Sequence, residues 1–181
     1  TETAHAKGAE RGFEIRSTIE RLKLAVPEIS IVSTAVVSNG GHQGDVTIPK
    51  SLEVLESTDF TTWETFNMPM KMEPALLNVH AGMMRSADSG RGEYFFIPEQ
   101  LQSEKTVRWY KNCEPVIEQS SVHLIGINER EGYSVVLYIN YMHKFIPSPD
   151  TAKVVDMHIA ALKRLYTPIK KTWWGRKNFI T

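Results

Sequence analysis

The sequence predicts an α+β fold, an antiparallel sheet flanked by helices. Two observations carry most of that expectation. Ser121 to Asn128 and Tyr133 to Met142 are adjacent runs rich in β-branched and aromatic residues, joined by Glu129-Arg130-Glu131-Gly132. Gly132 supplies the positive φ that a tight hairpin turn requires. A breaker, Pro147-Ser148-Pro149-Asp150, then leads into a stretch whose apolar residues recur at helical spacing: Val155, His158, Ile159, Leu162 and Tyr166. The third observation is order: strands and helices intersperse without the strict alternation of a parallel sheet.

Within the hairpin, alternation sends Val122 and Leu124 one way and Ile125 and Ile127 the other. Val135, Leu137 and Ile139 share one face of the next strand, and Val136, Tyr138 and Met142 the other. Both faces are apolar, as in strands at the centre of a covered sheet. For the closing helix, Ser148 is placed to cap, Pro149 fits the first position and Asp150 suits the positive end of the dipole. The helix is expected to run to about Ile169, with Pro168 ending or kinking it.

Upstream, residues 1–8 read as a leader, 9–171 as one α+β domain and 172–181 as a tail. Glu10 to Leu24 is an imperfectly amphipathic helix using Phe13, Ile15, Ile19, Leu22 and Leu24, stopped by Pro27. Ile29 to Val37 is a strand by composition, and Ser38-Asn39-Gly40-Gly41 a turn or loop running on through Gly44 and Asp45. Asp45 to Ile48 reads as a short strand, Ser51 to Glu56 as a helical turn and Pro74 to Met84 as a helix. Glu93 to Pro98 reads as a strand and Gln100 to Cys113 as a helix.

The chain has 181 residues, of which 41% are hydrophobic, enough for a core of one domain. Its 21 basic and 21 acidic residues balance to a formal charge of +0, which argues against a generally basic nucleic-acid binder. A lone cysteine, Cys113, rules out an intramolecular disulfide and fits a reducing cytoplasm. No apolar run approaches the length of a membrane span. The chain does not open on Met, which fits a processed protein or a piece of a longer one.

The candidate chemistry is sparse. The six histidines show no i, i+4 metal pair, and Cys113 has no CxxC partner. Asn39 to Gly44 is glycine-rich but lacks the Lys-Ser/Thr of a phosphate loop, so it reads as a surface loop or lid. Glu114 beside Cys113 disfavours a thiolate nucleophile. What stands out is apolar: Trp63, Phe66, Met68, Met70 and Met72 form the densest aromatic and methionine cluster, suited to an adaptable pocket wall.

The run from Glu93 to Leu165 resembles the GAF-like ligand-sensing domains that precede the DNA-binding module in LuxR-type bacterial regulators. The matching features are Trp109-Tyr110 in a helix, Pro115, the strand pair with its Glu-Gly turn, and Phe145 with Ser148-Pro149-Asp150 before the closing helix. Two features depart from the pattern: Tyr141-Met142-His143 stands where an Arg is usual, and no helix-turn-helix follows Ile169. The resemblance implies a GAF/PAS-like domain with a sensory role in transcription regulation. It does not imply an acyl-homoserine lactone, whose Trp, Tyr and Asp pattern is absent, and no cofactor is named.

The expected function is therefore a small-molecule-binding sensor domain for an apolar or aromatic ligand. Its pocket is expected to be lined by Trp63, Phe66, Met70, Phe96, Trp109 and Tyr138. A homodimer through the closing helix is expected as well, because Val154, Leu165 and Ile169 widen its apolar stripe. Two alternatives stay open. One is an enzyme with a dispersed site, pairing His80, His123 or His143 with a carboxylate between Asp59 and Glu73. The other is a nucleic-acid or cap-like binder using Trp63, Trp109, Trp173 and Trp174 with Arg108 and Arg176.

Overall fold

The computed structural model describes residues 2–43, 46–59, 93–101, 104–113, 116–128 and 131–166. Helix α1 spans Glu2–Ala25 and so includes the stretch assigned to a leader. Its buried stripe is Ile15, Thr18, Ile19 and Leu22, a regular i, i+3, i+4, i+7 pattern. Phe13 and Leu24, expected in that stripe, are 71% and 81% exposed instead.

Strands β1 (Ile29–Gln43) and β2 (Val46–Ser57) form a long antiparallel hairpin. This corrects two expectations. Of the expected glycine-rich loop, Ser38 to Gln43 is strand, with bulges between Ser38 and Asn39 and between Asn39 and His42, while Gly44 and Asp45 lie outside the described residues. Glycines fit such irregular positions within a ladder. Ser51 to Glu56 is likewise strand and not a helical turn: Leu52 and Val54 alternate inward, and long-range pairing with β1 overrides the local i, i+3 spacing of Leu52 and Leu55.

Strand β3 (Glu93–Phe96) leads into a short 3-10 turn, Pro98–Gln100, and then helix α2 (Glu104–Asn112). Strands β4 (Gln119–Asn128) and β5 (Tyr133–Tyr141) form the expected hairpin, and Gly132 carries the positive φ of 74° at its turn. Helix α3 (Pro149–Tyr166) closes the described chain. The Thr151 backbone N–H donates to Ser148 Oγ at 3.2 Å, so Ser148 caps α3 as its sequence predicts. Ser148→Ala is expected to cost about 1 kcal/mol, read as a lower urea midpoint at unchanged slope.

The five strands make one antiparallel sheet in the order β2-β1-β5-β4-β3, with β5 at its centre. On one face α1 lies over β1 and β2, α3 lies over β4, and the two helices pack on each other. Between helices and sheet sits a core of Ile15, Ile19, Leu22, Val32, Leu137, Ile139, Leu162 and Tyr166, among others. The opposite face carries a second core, which Tyr110 of α2 and Cys113 just beyond it cover. Sequence parity holds along β5 but not along β4. A bulge between Leu124 and Gly126 adds one residue, so Ile125 faces α3 as alternation expects, whereas Ile127 returns to the α2 face against it.

Helix α3 corrects a further premise. Val154 and Leu165, whose widening of the apolar stripe motivated a second copy, are half-buried against the core that α1 helps to build. The large apolar side chain that α3 exposes is Met157, at 67%. Ile169 lies outside the described residues.

Candidate functional site

The α2 face of the sheet is apolar with polar groups set into it. Ile31, Ala35 and Val37 of β1, Val122 and Leu124 of β4, and Val136 and Tyr138 of β5 form its floor. Phe96 flanks them from β3, and its ring meets that of Tyr110 edge-on with centroids 6.2 Å apart. Period-two alternation puts these residues on one face, and the ladder aligns them: Ala35 opposes Val136, and Val136 opposes Leu124.

Two hydrogen-bonded pairs interrupt this surface. Ser33 Oγ donates to Ser57 Oγ at 2.9 Å, across β1 and β2. Ser120 Oγ donates to Asn140 Oδ1 at 2.6 Å, across β4 and β5. All four residues are buried, and each pair satisfies groups that would otherwise be costly to bury. Ser134, also buried on this face, has a hydroxyl with no hydrogen-bond partner among the described residues.

Two titratable groups here, Cys113 and Tyr138, are held in their neutral forms. Burial, aided by the Asp59 carboxylate, pushes the Cys113 thiol from 9.0 up to about 11. Burial, with Tyr110 alongside, raises the Tyr138 phenol well above its usual range. At neutral pH these groups offer hydrogen bonds and polarisable surface, not a nucleophile. Cys113 is accordingly expected to alkylate with iodoacetamide at least about 100-fold more slowly in the folded than in the urea-unfolded chain, the thiolate deficit that follows from a rise from 9.0 to about 11. Near-equal rates at pH 7.5 would contradict this placement.

Of the expected pocket residues, Phe96 and Tyr138 come together on this face, in one core cluster. Trp63, Phe66 and Met70 lie outside the described residues, and Trp109 falls in α2 with its side chain outside them. Sequence reasoning missed the polar members, Ser33, Ser57, Ser120, Ser134 and Asn140. Single polar residues inside strands read as solvent-facing until their partners are known.

The dispersed catalytic site is not assembled among the described residues. His123 is buried on the α3 face, opposite Leu137, whereas Asp59 lies near Cys113 on the α2 side. His143 is exposed beyond the end of β5, and His80 lies outside the described residues. No cluster of three or more His, Cys, Asp or Glu side chains that could hold a metal ion occurs among the described residues. Arg108 borders a shallow surface pocket of about 390 Å³ with Glu104 and Lys111, while Trp173, Trp174 and Arg176 lie outside the described residues. Among the described residues no helix is long and apolar enough to cross a membrane.

No protein-family model matches the sequence, and no curated protein matches it. The fold, however, is similar to that of a solved GAF domain/HD domain protein from Geobacter sulfurreducens. The TM-score is 0.56 at 9% identity, over 88% of this chain and 94% of that one. A solved GAF domain of a two-component sensor histidine kinase from Bacillus halodurans aligns over 86% of this chain and 92% of that one, with 12% identity and a TM-score of 0.45. The likeness is one of fold: this is an α+β chain with a GAF-like architecture.

Proposed function

We propose that the chain is a small-molecule-binding regulatory domain that holds an apolar or aromatic ligand against the α2 face of its sheet. The observation that carries this reading is the character of that face: an apolar floor, internally paired polar groups, and a thiol and a phenol held neutral. Such a surface favours binding over acid–base or nucleophilic chemistry. Phe96 and Tyr138 are assigned to the floor, and Trp63, Phe66, Met70 and Trp109 to the rest of the lining. The GAF-like fold supports a sensory role, and the resemblance to LuxR-type regulators extends the proposal to transcriptional control.

The test is a screen of apolar and aromatic metabolites for a rise in Tm, followed by NMR mapping of any hit. Shifts are expected at Phe96, Tyr110, Tyr138 and Asn140. Shifts confined to α1 and α3 would sink the reading. Pairing of two copies through α3 belongs to the same proposal, with Met157 as the exposed apolar residue on that helix. Met157→Glu is then expected to convert dimers to monomers in sedimentation equilibrium with circular dichroism intact. A wild type that sediments as a monomer at high concentration would remove the dimer from the proposal.

A further inference from the structure

The face turned away from the candidate site carries a buried polar relay that the proposed ligand does not use. His123, on β4, is 5% exposed and lies under α3. Its Nε2 is 2.8 Å from Ser121 Oγ, and Ser121 in turn interacts with the Tyr141 phenol of β5. Its Nδ1 is 3.8 Å from Glu93 Oε2 on β3, just beyond hydrogen-bond reach. Phe95 meets the imidazole edge-on with centroids 6.3 Å apart.

The groups around the imidazole respond unequally to its charge. Burial holds His123 in the neutral form, and Lys163 of α3 opposes a positive charge from above. Tyr141, itself raised chiefly by burial, stays a neutral phenol. Glu93, whose side chain is 41% exposed, is an acidic group near both the imidazole and solvent. A proton arriving on the imidazole therefore creates an imidazolium that Lys163 of α3 repels.

We propose that the Glu93–His123–Ser121–Tyr141 relay is a proton-operated latch that holds α3 on β4 while His123 is neutral and loosens it when His123 is protonated. The step transfers one proton from solvent to Nδ1 and changes nothing else covalently. Loosening is centred on α3, because α3 is the helix packed on β4, whereas α1 rests chiefly on β1, β2 and α3 itself.

Amide hydrogen exchange on the full chain at pH 7.5 and 5.0, normalised to intrinsic rates, tests this. If the imidazole returns from about 4 to its ordinary 6.5 when α3 lifts, the opening constant of α3 rises about 30-fold between those pH values. Protection in α1 is expected to change far less, and His123→Gln, which cannot take up the proton, is expected to abolish the rise. A pH-independent α3 overturns the proposal. So does an undiminished rise in His123→Gln, or an equal loss of protection in α1 and the sheet, which would be ordinary acid unfolding. Should His123→Gln not fold, NMR titration of the wild type decides: the His123 Cε1 resonance and the α3 amides must share one midpoint, and separate midpoints reject the latch.

Discussion

Leu137→Ala is expected to destabilise the chain by about 2–5 kcal/mol. Leu137 is fully buried on β5, the middle strand, with Thr34 of β1 and His123 of β4 opposite it in register. It packs into the core that α1 and α3 share. Neighbours held in a ladder on both sides cannot collapse into the space the truncation leaves, so the cavity cost adds to the lost transfer free energy. Leu137→Met, which keeps the volume, is expected to cost under about 1.5 kcal/mol. The measurement is a urea midpoint at constant slope, and an unchanged midpoint for the alanine variant would reject the central placement of β5.

A comparable loss, about 3–5 kcal/mol, is expected for Tyr166→Ala. Tyr166 is the last residue of α3 and is fully buried. Its phenol faces Thr34 on β1 and lies near Glu56 on β2, and burial pushes its ionisation far up. Glu56 is itself tied to α1 by Arg16, at 3.3 Å. One ring thus pins the end of α3 to the side of the sheet that α1 occupies. Tyr166→Phe separates packing from polarity: it retains the ring and is expected to cost no more than about 1.5 kcal/mol. If the alanine variant loses less than the phenylalanine range, the ring does not anchor the helix.

How much of this was legible in the chain depended on how local the signal was. The β4–β5 hairpin and α3 were readable because turn, alternation and cap lie within a few residues of one another: Gly132, then Val135 to Ile139, then Ser148-Pro149. The β1–β2 hairpin is hidden from a local reading because Gly40 and Gly41 announce a turn, whereas pairing with β2 carries the strand through them. The side to which Ile127 points depended on a bulge that leaves no mark in a period-two count. For the candidate site, Phe96 and Tyr138 were legible as strand aromatics, and their sharing of a face follows from register. The Ser33–Ser57 and Ser120–Asn140 pairs were not legible, since each joins residues twenty or more positions apart. The separation of His123 from Asp59 by the thickness of the sheet was hidden for the same reason.

The central position of β5 also sets a schedule for assembly. The β1–β2 and β4–β5 hairpins close short loops, but the seam between β1 and β5 joins residues about a hundred positions apart, such as Val36 and Val135. Such a seam raises contact order and slows folding relative to a helical bundle of the same size. On a ribosome the amino-terminal hairpin emerges early and waits with one edge of β1 uncovered until Tyr141 has been made. During that interval Val32, Ala35 and Val36, all buried in the finished sheet, are the residues a holding chaperone would cover.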